Sequence, residues 1–411
     1  MKRVMLITYY FPPCGGAPVQ RWLRIVKYMR FHGIEVTVLT TQNGLFPFTD
    51  STLNIPEGVK VIRAEFPSID KLWNLFAGSS QRIPHGSISL PTESDLMVKV
   101  MVWIRKNMII PDIRIIWNRN ALKSARKVLS QSKYDAIITT GPPHSTHLIG
   151  LKLKKEFQIT WFSDFRDPWV NIHYFKLNPP SAISRVIHKY LEKKVIENAN
   201  CSFVVSDSIS NQLPDGNKHV LYNSFDPDDF VSSHWISSDT FRIKYVGQLT
   251  AGQNIQVIFE FLREFSKHRV CEFSLVGTKD FCIDDEEQPM GQNFSLRITD
   301  FLTHDEAIKE MVCSDLLVLI INDYEGSQGM LTTKLFEYIA SRTPILCFSQ
   351  VIGEAAHVIL GTKSGQVFKY NETNRAVKWV LGLEYGKRND GNIDAYSVVN
   401  QVDTLLNAFS T

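Results

Sequence analysis

The stretch Leu331-Thr332-Thr333-Lys334-Leu335-Phe336-Glu337-Tyr338-Ile339-Ala340, followed by Ser341-Arg342-Thr343-Pro344-Ile345-Leu346, reads as a loop, a helix start and a turn into a buried strand. Thr332 or Thr333 is placed to cap the helix, and the free N–H groups and dipole of a helix start attract phosphate. Lys334 adds a mobile positive charge at that end. Glu337 lies one turn further along near the same side, where a carboxylate can accept two hydrogen bonds from a vicinal diol such as a ribose. Pro344 ends the turn, and Ile345-Leu346-Cys347-Phe348 is a short apolar strand. A phosphate-binding end beside a diol-binding carboxylate suits a nucleoside diphosphate. The plain alternative is a surface helix that happens to carry a Lys and a Glu.

The amino terminus favours the first reading. Arg3-Val4-Met5-Leu6-Ile7-Thr8 is a buried-type strand, Tyr9-Tyr10-Phe11-Pro12-Pro13-Cys14-Gly15-Gly16 a loop, and Val19 to Gly33 an amphipathic helix. Its apolar positions include Trp22, Leu23, Ile25 and Val26, with Arg21, Arg24, Lys27 and Arg30 as the basic ones. Glu35-Val36-Thr37-Val38-Leu39-Thr40 returns as a second strand. In this βαβ unit Gly15 and Gly16 let backbone approach a ligand closely at the helix start, or simply build a turn. The G-x-G-x-x-G pattern is missing, which argues against a nicotinamide or flavin dinucleotide.

At 411 residues the chain exceeds what one core usually holds, so two domains are expected. Met1-Lys2-Arg3 leads straight into a strand without the apolar core of a secretory signal, and no apolar run approaches a spanning helix. The six cysteines are scattered without a C-x-x-C pair or a His cluster, which reads as free thiols in a reducing cytosol and not a zinc site. Residues 1–230 carry 29 Lys and Arg against 19 Asp and Glu, and residues 231–411 carry 16 against 23. A basic first half faces an anionic partner. No nucleic-acid reader motif is present, so a membrane surface or a lipid-linked diphosphate fits better. Residues 96–133 mix Met97, Trp103, Ile104, Met108 and Trp117 with Lys99, Arg105, Lys106 and Arg114, a composition that suits a bilayer interface or a core helix with a solvated basic face.

Strands and helices alternate throughout. Tyr134 to Thr140 is a strand running into Gly141-Pro142-Pro143-His144, with a helix from about Ser145. Thr160-Trp161-Phe162-Ser163-Asp164 is the next strand, then a helix over 183–198 and a strand from Cys201 to Ser206. The serine-rich segment Val231 to Asp239 lacks periodicity and is read as the interdomain linker. The pattern restarts with strands from Phe241, Cys271, Ser295 and Leu316, and helices over 254–266 and 304–313. Asp284 to Glu287 is a solvated loop. The α/β class follows: two doubly wound Rossmann-like domains, 1–232 and 233–393, with a helix at about 394–411 returning to the first. Ligands of such sheets sit at the carboxyl ends of the strands.

In order along the chain stand Tyr9-Tyr10-Phe11-Pro12-Pro13-x-Gly15-Gly16, Gly141-Pro142-Pro143-His144-Ser145-x-His147, Asp164-x-Arg166-Asp167-Pro168-Trp169, Asn223-x-Phe225-Asp226, Tyr245-Val246-Gly247 and Lys334-Leu335-Phe336-Glu337-Tyr338. This ordered set resembles the retaining glycosyltransferases of family 4 (group 1), with the GT-B fold, in particular bacterial members of surface-polysaccharide assembly. The cysteines point to a cytoplasmic enzyme, and the bilayer reading of residues 96–133 would place it peripherally at the inner face of the plasma membrane, in contact with anionic lipid. The resemblance implies that it moves a sugar from a nucleoside-diphosphate sugar to a saccharide or lipid-linked acceptor, with chemistry in a cleft between the domains. It implies catalytic roles for His144, Lys334 and Glu337. Donor binding would fall to Gly15, Gly16, Gly247, Gln248, Gln253, Thr332, Thr333, Lys334 and Glu337, with Glu337 on the ribose.

His147 competes with His144 for its role. Asp164, Arg166 and Asp167 are acceptor ligands or an ion-paired turn that fixes strand to helix. Trp169 and Tyr174 are stacking platforms or packing. Asn223 and Asp226 form a turn. The sequence departs from the family at Gly329, where a Glu is common and Glu325 is a weak substitute. It departs again at Gln248 and Gln253, which replace two cations. No cofactor is implied beyond the nucleotide sugar as co-substrate, and no metal, since the D-x-D match Asp226-Pro227-Asp228 falls at the predicted hinge. A sugar-nucleotide epimerase and a non-catalytic binding subunit are the alternatives.

Overall fold

The computed structural model describes residues 2–47, 49–67, 96–249, 253–278, 292–300, 302–322, 327–329, 331–349 and 353–409. Glu325, Cys282 and the acidic run from Asp284 to Glu287 lie outside them, as does the side chain of Tyr174. The chain divides into two compact units, Met1–Tyr222 with Thr404–Thr411, and Asn223–Asp403.

The first unit runs β1 (Arg3–Ile7), α1 (Ala17–Phe31), β2 (Glu35–Thr41), β3 (Lys60–Ala64), α2 (Leu96–Asn107), α3 (Asn118–Gln131), β4 (Ala136–Gly141), α4 (Ser145–Phe157), β5 (Thr160–Phe165), α5 (His173–Leu177), α6 (Ala182–Asn198), β6 (Cys201–Val204), α7 (Asp207–Gln212) and β7 (Lys218–Val220). Its seven strands pair in the order β3-β2-β1-β4-β5-β6-β7, all parallel. β1 and β4 are buried along their length, as strands covered by helices on both faces must be, and so read as continuous apolar runs.

The second unit runs β8 (Phe241–Val246), α8 (Gln256–Phe265), β9 (Cys271–Val276), β10 (Phe294–Thr299), α9 (His304–Val312), β11 (Leu316–Ile320), α10 (Thr333–Ala340), β12 (Ile345–Phe348), α11 (Glu354–Gly361), β13 (Gly365–Phe368), α12 (Thr373–Leu381) and the start of α13 (Val398–Asn407), whose residues from Thr404 belong to the first unit. The order of its parallel strands is β10-β9-β8-β11-β12-β13. In each sheet the chain starts at a central strand, builds outward one way and then the other. The order therefore reverses between β1 and β4 in the first sheet and between β8 and β11 in the second. At such a point the loops leaving the two strands part, which opens a crevice at their carboxyl ends.

Three expectations need amendment. The stretch 96–133 is not one helix: Pro111 and the N-cap Asp112 break it into α2, a short 3-10 turn at Ile113–Trp117, and α3. The serine-rich segment is not a free tether. Trp235 anchors it within the second unit by donating to Asp315 (2.7 Å) and packing edge-on against Tyr385. The division falls instead at Tyr222–Asn223, because Phe225 pairs with Ser397 and so joins the second unit. Arg21 and Arg24 are not on a solvated face of α1; they are 1% and 6% exposed. Among the described cysteines, Cys14, Cys201, Cys271 and Cys347 are buried free thiols and Cys313 is half-buried.

Candidate functional site

At the reversal point of the second sheet, β8 ends at Val246, just before Gly247, and α10 follows the loop after β11. Gly247 has φ +122°, and a Cβ there would lie 2.9 Å from the Lys334 Nζ, so only glycine lets the ammonium pass. Lys334 donates to the Tyr245 hydroxyl (2.6 Å) and reaches the Gln248 carbonyl at 3.5 Å. Its ammonium lies 4.1 Å from the Tyr245 ring centroid. Desolvation lowers the Lys334 pKa to about 7, with nearby Glu337 acting the other way. The ammonium therefore gains from any anion brought beside it.

Thr332 occupies the N-cap with extended backbone, but its side chain makes no capping bond, and Oγ1 is buried without a partner among the described residues. The expected cap from Thr332 is absent, so the first amides of α10 receive no side-chain acceptor from the N-cap residue. Glu337 is 7% exposed, held inside on the next turn. Tyr338, which the motif reading did not single out, accepts from the Val246 amide (2.7 Å) and so ties α10 to the end of β8.

The two glutamines behave differently from each other. Gln253 is committed: its amide donates to the Ile320 carbonyl (3.0 Å) and its oxygen accepts from the Tyr245 hydroxyl (3.1 Å), bridging β8 to β11. The Gln253 side chain thus braces the sheet at the position where the sequence reading expects a donor ligand. Gln248 is exposed, and its carbonyl faces Lys334.

In the first unit, Gly15 is buried and Gly16 (φ 98°) precedes α1, which has no side-chain cap. Pro18 removes one N–H from that first turn, and Val19 and Gln20 already donate to the Gly16 carbonyl. Asp164 is wholly buried and accepts from Arg21 (2.8 Å), Trp22 (3.0 Å) and Thr140 (2.7 Å). Arg21 also holds the Leu221 and Tyr222 carbonyls. Asp164 is thus 0% exposed and already holds three donors. It ties β5 to α1, and its ionic partner is Arg21, outside the turn in which the sequence reading places its pairing.

Arg166 clamps the Gly-Pro-Pro turn through the Pro142 carbonyl and the Thr140 hydroxyl. Trp169 is 1% exposed; it stacks on His144 (5.0 Å, 5°) and donates to His188 (3.0 Å), so it packs and does not form an open platform. Asp167 remains exposed. Asp226 caps a short 3-10 turn through the Asp228 amide.

His144 and His147 separate clearly. His147 is sealed, bonded to Thr139 (2.9 Å), stacked on Phe165 (4.4 Å), and lowered by burial to about 3. His144 is 4% exposed, yet neither ring nitrogen makes a hydrogen bond of normal geometry among the described residues. Burial, then the charges of His147, Arg166 and His188, hold it well below the usual imidazole range, with the Pro168 carbonyl acting weakly the other way. Gly141 makes room for both rings, since a Cβ there would sit 2.6 Å from His147 Nε2 and 3.1 Å from His144 Nδ1. His144 lines a cavity of about 290 Å³ together with Asp167, Trp169, Tyr10, Arg105 and Arg114. Asp112 on its wall binds the Ser145 amide and hydroxyl and thereby occupies the start of α4.

No protein-family model matches the chain, and no curated protein matches it by sequence. Its fold does match solved structures along the full length. Sucrose-phosphate synthase from Thermosynechococcus elongatus shares 13% identity over 100% of this chain and 95% of that one, with a TM-score of 0.62. An E. coli trehalose-6-phosphate protein bound with UDP-2-fluoro glucose shares 9% identity over 100% and 99%, also at 0.62. The α,α-trehalose 6-phosphate synthase of Burkholderia multivorans shares 9% over 100% and 98%, again at 0.62. With two parallel α/β units in hand, these likenesses establish that the chain has the two-Rossmann-domain GT-B fold.

Proposed function

We propose that the protein is a retaining glycosyltransferase of family 4 that moves a hexosyl unit from a nucleoside-diphosphate sugar to a saccharide or lipid-linked acceptor, in bacterial surface-polysaccharide synthesis. The observation that carries this reading is the start of α10. There a half-buried ammonium, a threonine hydroxyl with no partner among the described residues and a helix turn without a cap from Thr332 lie beside a buried glutamate. A diphosphate supplies the charge that Lys334 lacks, the helix amides and Thr332 take its oxygens, and Glu337 takes the ribose diol. In the first unit, neutral His144 is available to hydrogen-bond a sugar hydroxyl, and Asp167 is the exposed carboxylate for an acceptor.

The diphosphate leaves from the face that the acceptor attacks and helps remove the acceptor proton, while fixed donors stabilise the separating charge. The enzyme needs no metal and works in the cytoplasm, peripherally at the inner face of the plasma membrane. Incubation with nucleotide sugars and lipid-linked acceptors in the presence of EDTA should yield product with the anomeric configuration of the donor. Absence of turnover, together with absence of UDP and GDP binding, overturns the proposal.

One observation favours a second reading, a non-catalytic binding subunit. Gln253 is spent inside the unit and Gln248 is uncharged, so Lys334 is the only side-chain cation among the residues assigned to the donor. Losing such a charge commonly costs a factor of ~10² or more in rate. Activity that appears only in Gln248→Arg would support the second reading.

A further inference from the structure

Through Glu192 the buried face of α6 carries Ser184, His188 and Glu192, with apolar Val195 and Ile196 following only at its end, while Ile183, Val186, Ile187 and Tyr190 face outward. This inverts the pattern of a helix on a soluble surface, where the apolar stripe turns to the core. Ile183 is 76% exposed and Val186 66%. The neighbouring segments continue the pattern, with Leu177, Met108 and Trp103 also exposed. They form one surface, because Asn107 at the end of α2 accepts from the Ser181 amide (2.7 Å) and the Ser184 hydroxyl (2.9 Å), and Lys106 donates to Asn178. Of the sixteen large apolar side chains that are exposed among the described residues, nine fall in 100–108 and 177–190. That concentration marks a contact surface and not scattered exposure.

The charge on this surface has one sign. Residues 96–108 hold three Lys and Arg and no acid; residues 173–194 hold five, and Glu192 is their single acid. Glu192 is 5% exposed and raised by burial to about 7, so it adds little to the outer face. Within the patch a cavity of about 270 Å³ is lined by Lys176, Arg185 and Lys189 with Phe175 and His188, and by no carboxylate. A second copy of the chain would press cation on cation. An amphiphile with a negative headgroup meets both demands, apolar side chains entering the acyl boundary and long basic side chains reaching phosphate.

We propose that α2, α5 and the first half of α6 form the face by which the first unit docks on a bilayer of anionic phospholipid, and that the Lys176–Arg185–Lys189 cavity seats a lipid phosphate headgroup. The proposal adds a surface and a ligand class to the proposed sugar transfer and stands whether or not sugar is transferred. The test is co-sedimentation of the full chain with vesicles of phosphatidylcholine alone or mixed with phosphatidylglycerol, with no nucleotide present.

Binding is expected to the mixed vesicles and not to phosphatidylcholine alone, weakening as salt is raised. Arg185→Glu with Lys189→Glu should weaken it about 30-fold or more, and Ile183→Ser with Val186→Ser about tenfold or more. All four positions are exposed, so the thermal midpoint should hold. No binding to mixed vesicles, or binding that these variants leave intact, overturns the proposal. So does saturation by inorganic phosphate without vesicle binding, which would assign the cavity to a free anion. Concentration-dependent dimerisation lost in the serine variant would assign the face to a second copy, and overturn it equally.

Discussion

At the end of β5, Asp164 accepts from Arg21, Trp22 and Thr140, and Arg21 goes on to hold two carbonyls. At the start of α10, Lys334 meets a phenol oxygen and a distant carbonyl, and the Thr332 hydroxyl meets no partner among the described residues. Both places lie at the carboxyl edge of a doubly wound sheet, where polar residues gather. The difference is in how far their bonding capacity is filled. A buried carboxylate met by three donors and a counter-charge holds the fold together. A charge that is desolvated and left under-coordinated raises the free energy of the empty site, and a ligand relieves it.

The comparison can be broken most forcefully at Asp164. Asp164→Ala leaves the Arg21 guanidinium buried without its counter-charge and should destabilise the first unit by about 3–5 kcal/mol, read as a shift in the denaturant midpoint. If the account is right, nucleotide affinity measured on the remaining folded protein stays the same. Acid provides the next test. His147 and His188 titrate near 3 and 4 in the folded unit, below free imidazole, because burial opposes their charge. The folded unit therefore binds fewer protons than the unfolded chain, and the stability they give is present above about pH 6.5 and falls as pH drops toward 4. The expected loss is on the order of 3 kcal/mol for each. The second unit buries no histidine among its described residues, so hydrogen exchange at pH 4.5 should open the first unit ahead of it.

Lys334→Ala should lower turnover by ~10²-fold or more, with little change in thermal midpoint. In the wild type, a bound diphosphate raises the Lys334 pKa from about 7, so binding at pH 8 should take up protons and weaken as pH rises. Calorimetry in buffers of different ionisation enthalpy reads this directly. Thr332→Val has the smallest effect. Removing an unsatisfied hydroxyl should leave stability unchanged or raise it by about 1 kcal/mol, while weakening nucleotide binding several-fold.

Both parallel sheets were legible in the sequence because strands buried on two faces are continuous apolar runs, as in Leu316 to Ile321 and Val4 to Ile7. Of the edge strands only Phe294–Thr299 was. Lys60–Ala64 holds two cations in five residues, and Gly365–Phe368 is four residues opened by a glycine. The start of α10 was legible as a motif, since its Lys and Glu sit on one helix within one turn. The absent cap was not, because Thr332 has the right residue type at the N-cap position and only the side-chain direction decides. The Arg21–Asp164 pair was out of reach for another reason. Its members are 143 positions apart, and helical periodicity assigns Arg21 to the basic face. One signal was available: an aspartate inside the run Trp161-Phe162-Ser163-Asp164-Phe165 needs a buried counter-charge somewhere. The inverted face of α6 was equally visible in outline, yet without a fold nothing says which side of a helix is the inside.

The central claim is that a nucleoside diphosphate binds the second unit at the start of α10. Titration calorimetry of UDP and GDP into the wild type and Lys334→Ala tests it most directly. The account predicts saturable binding of at least one of them to the wild type and a loss of that binding by ~10²-fold or more in the variant. Failure of both nucleotides to bind, or equal affinity in Lys334→Ala, would contradict it.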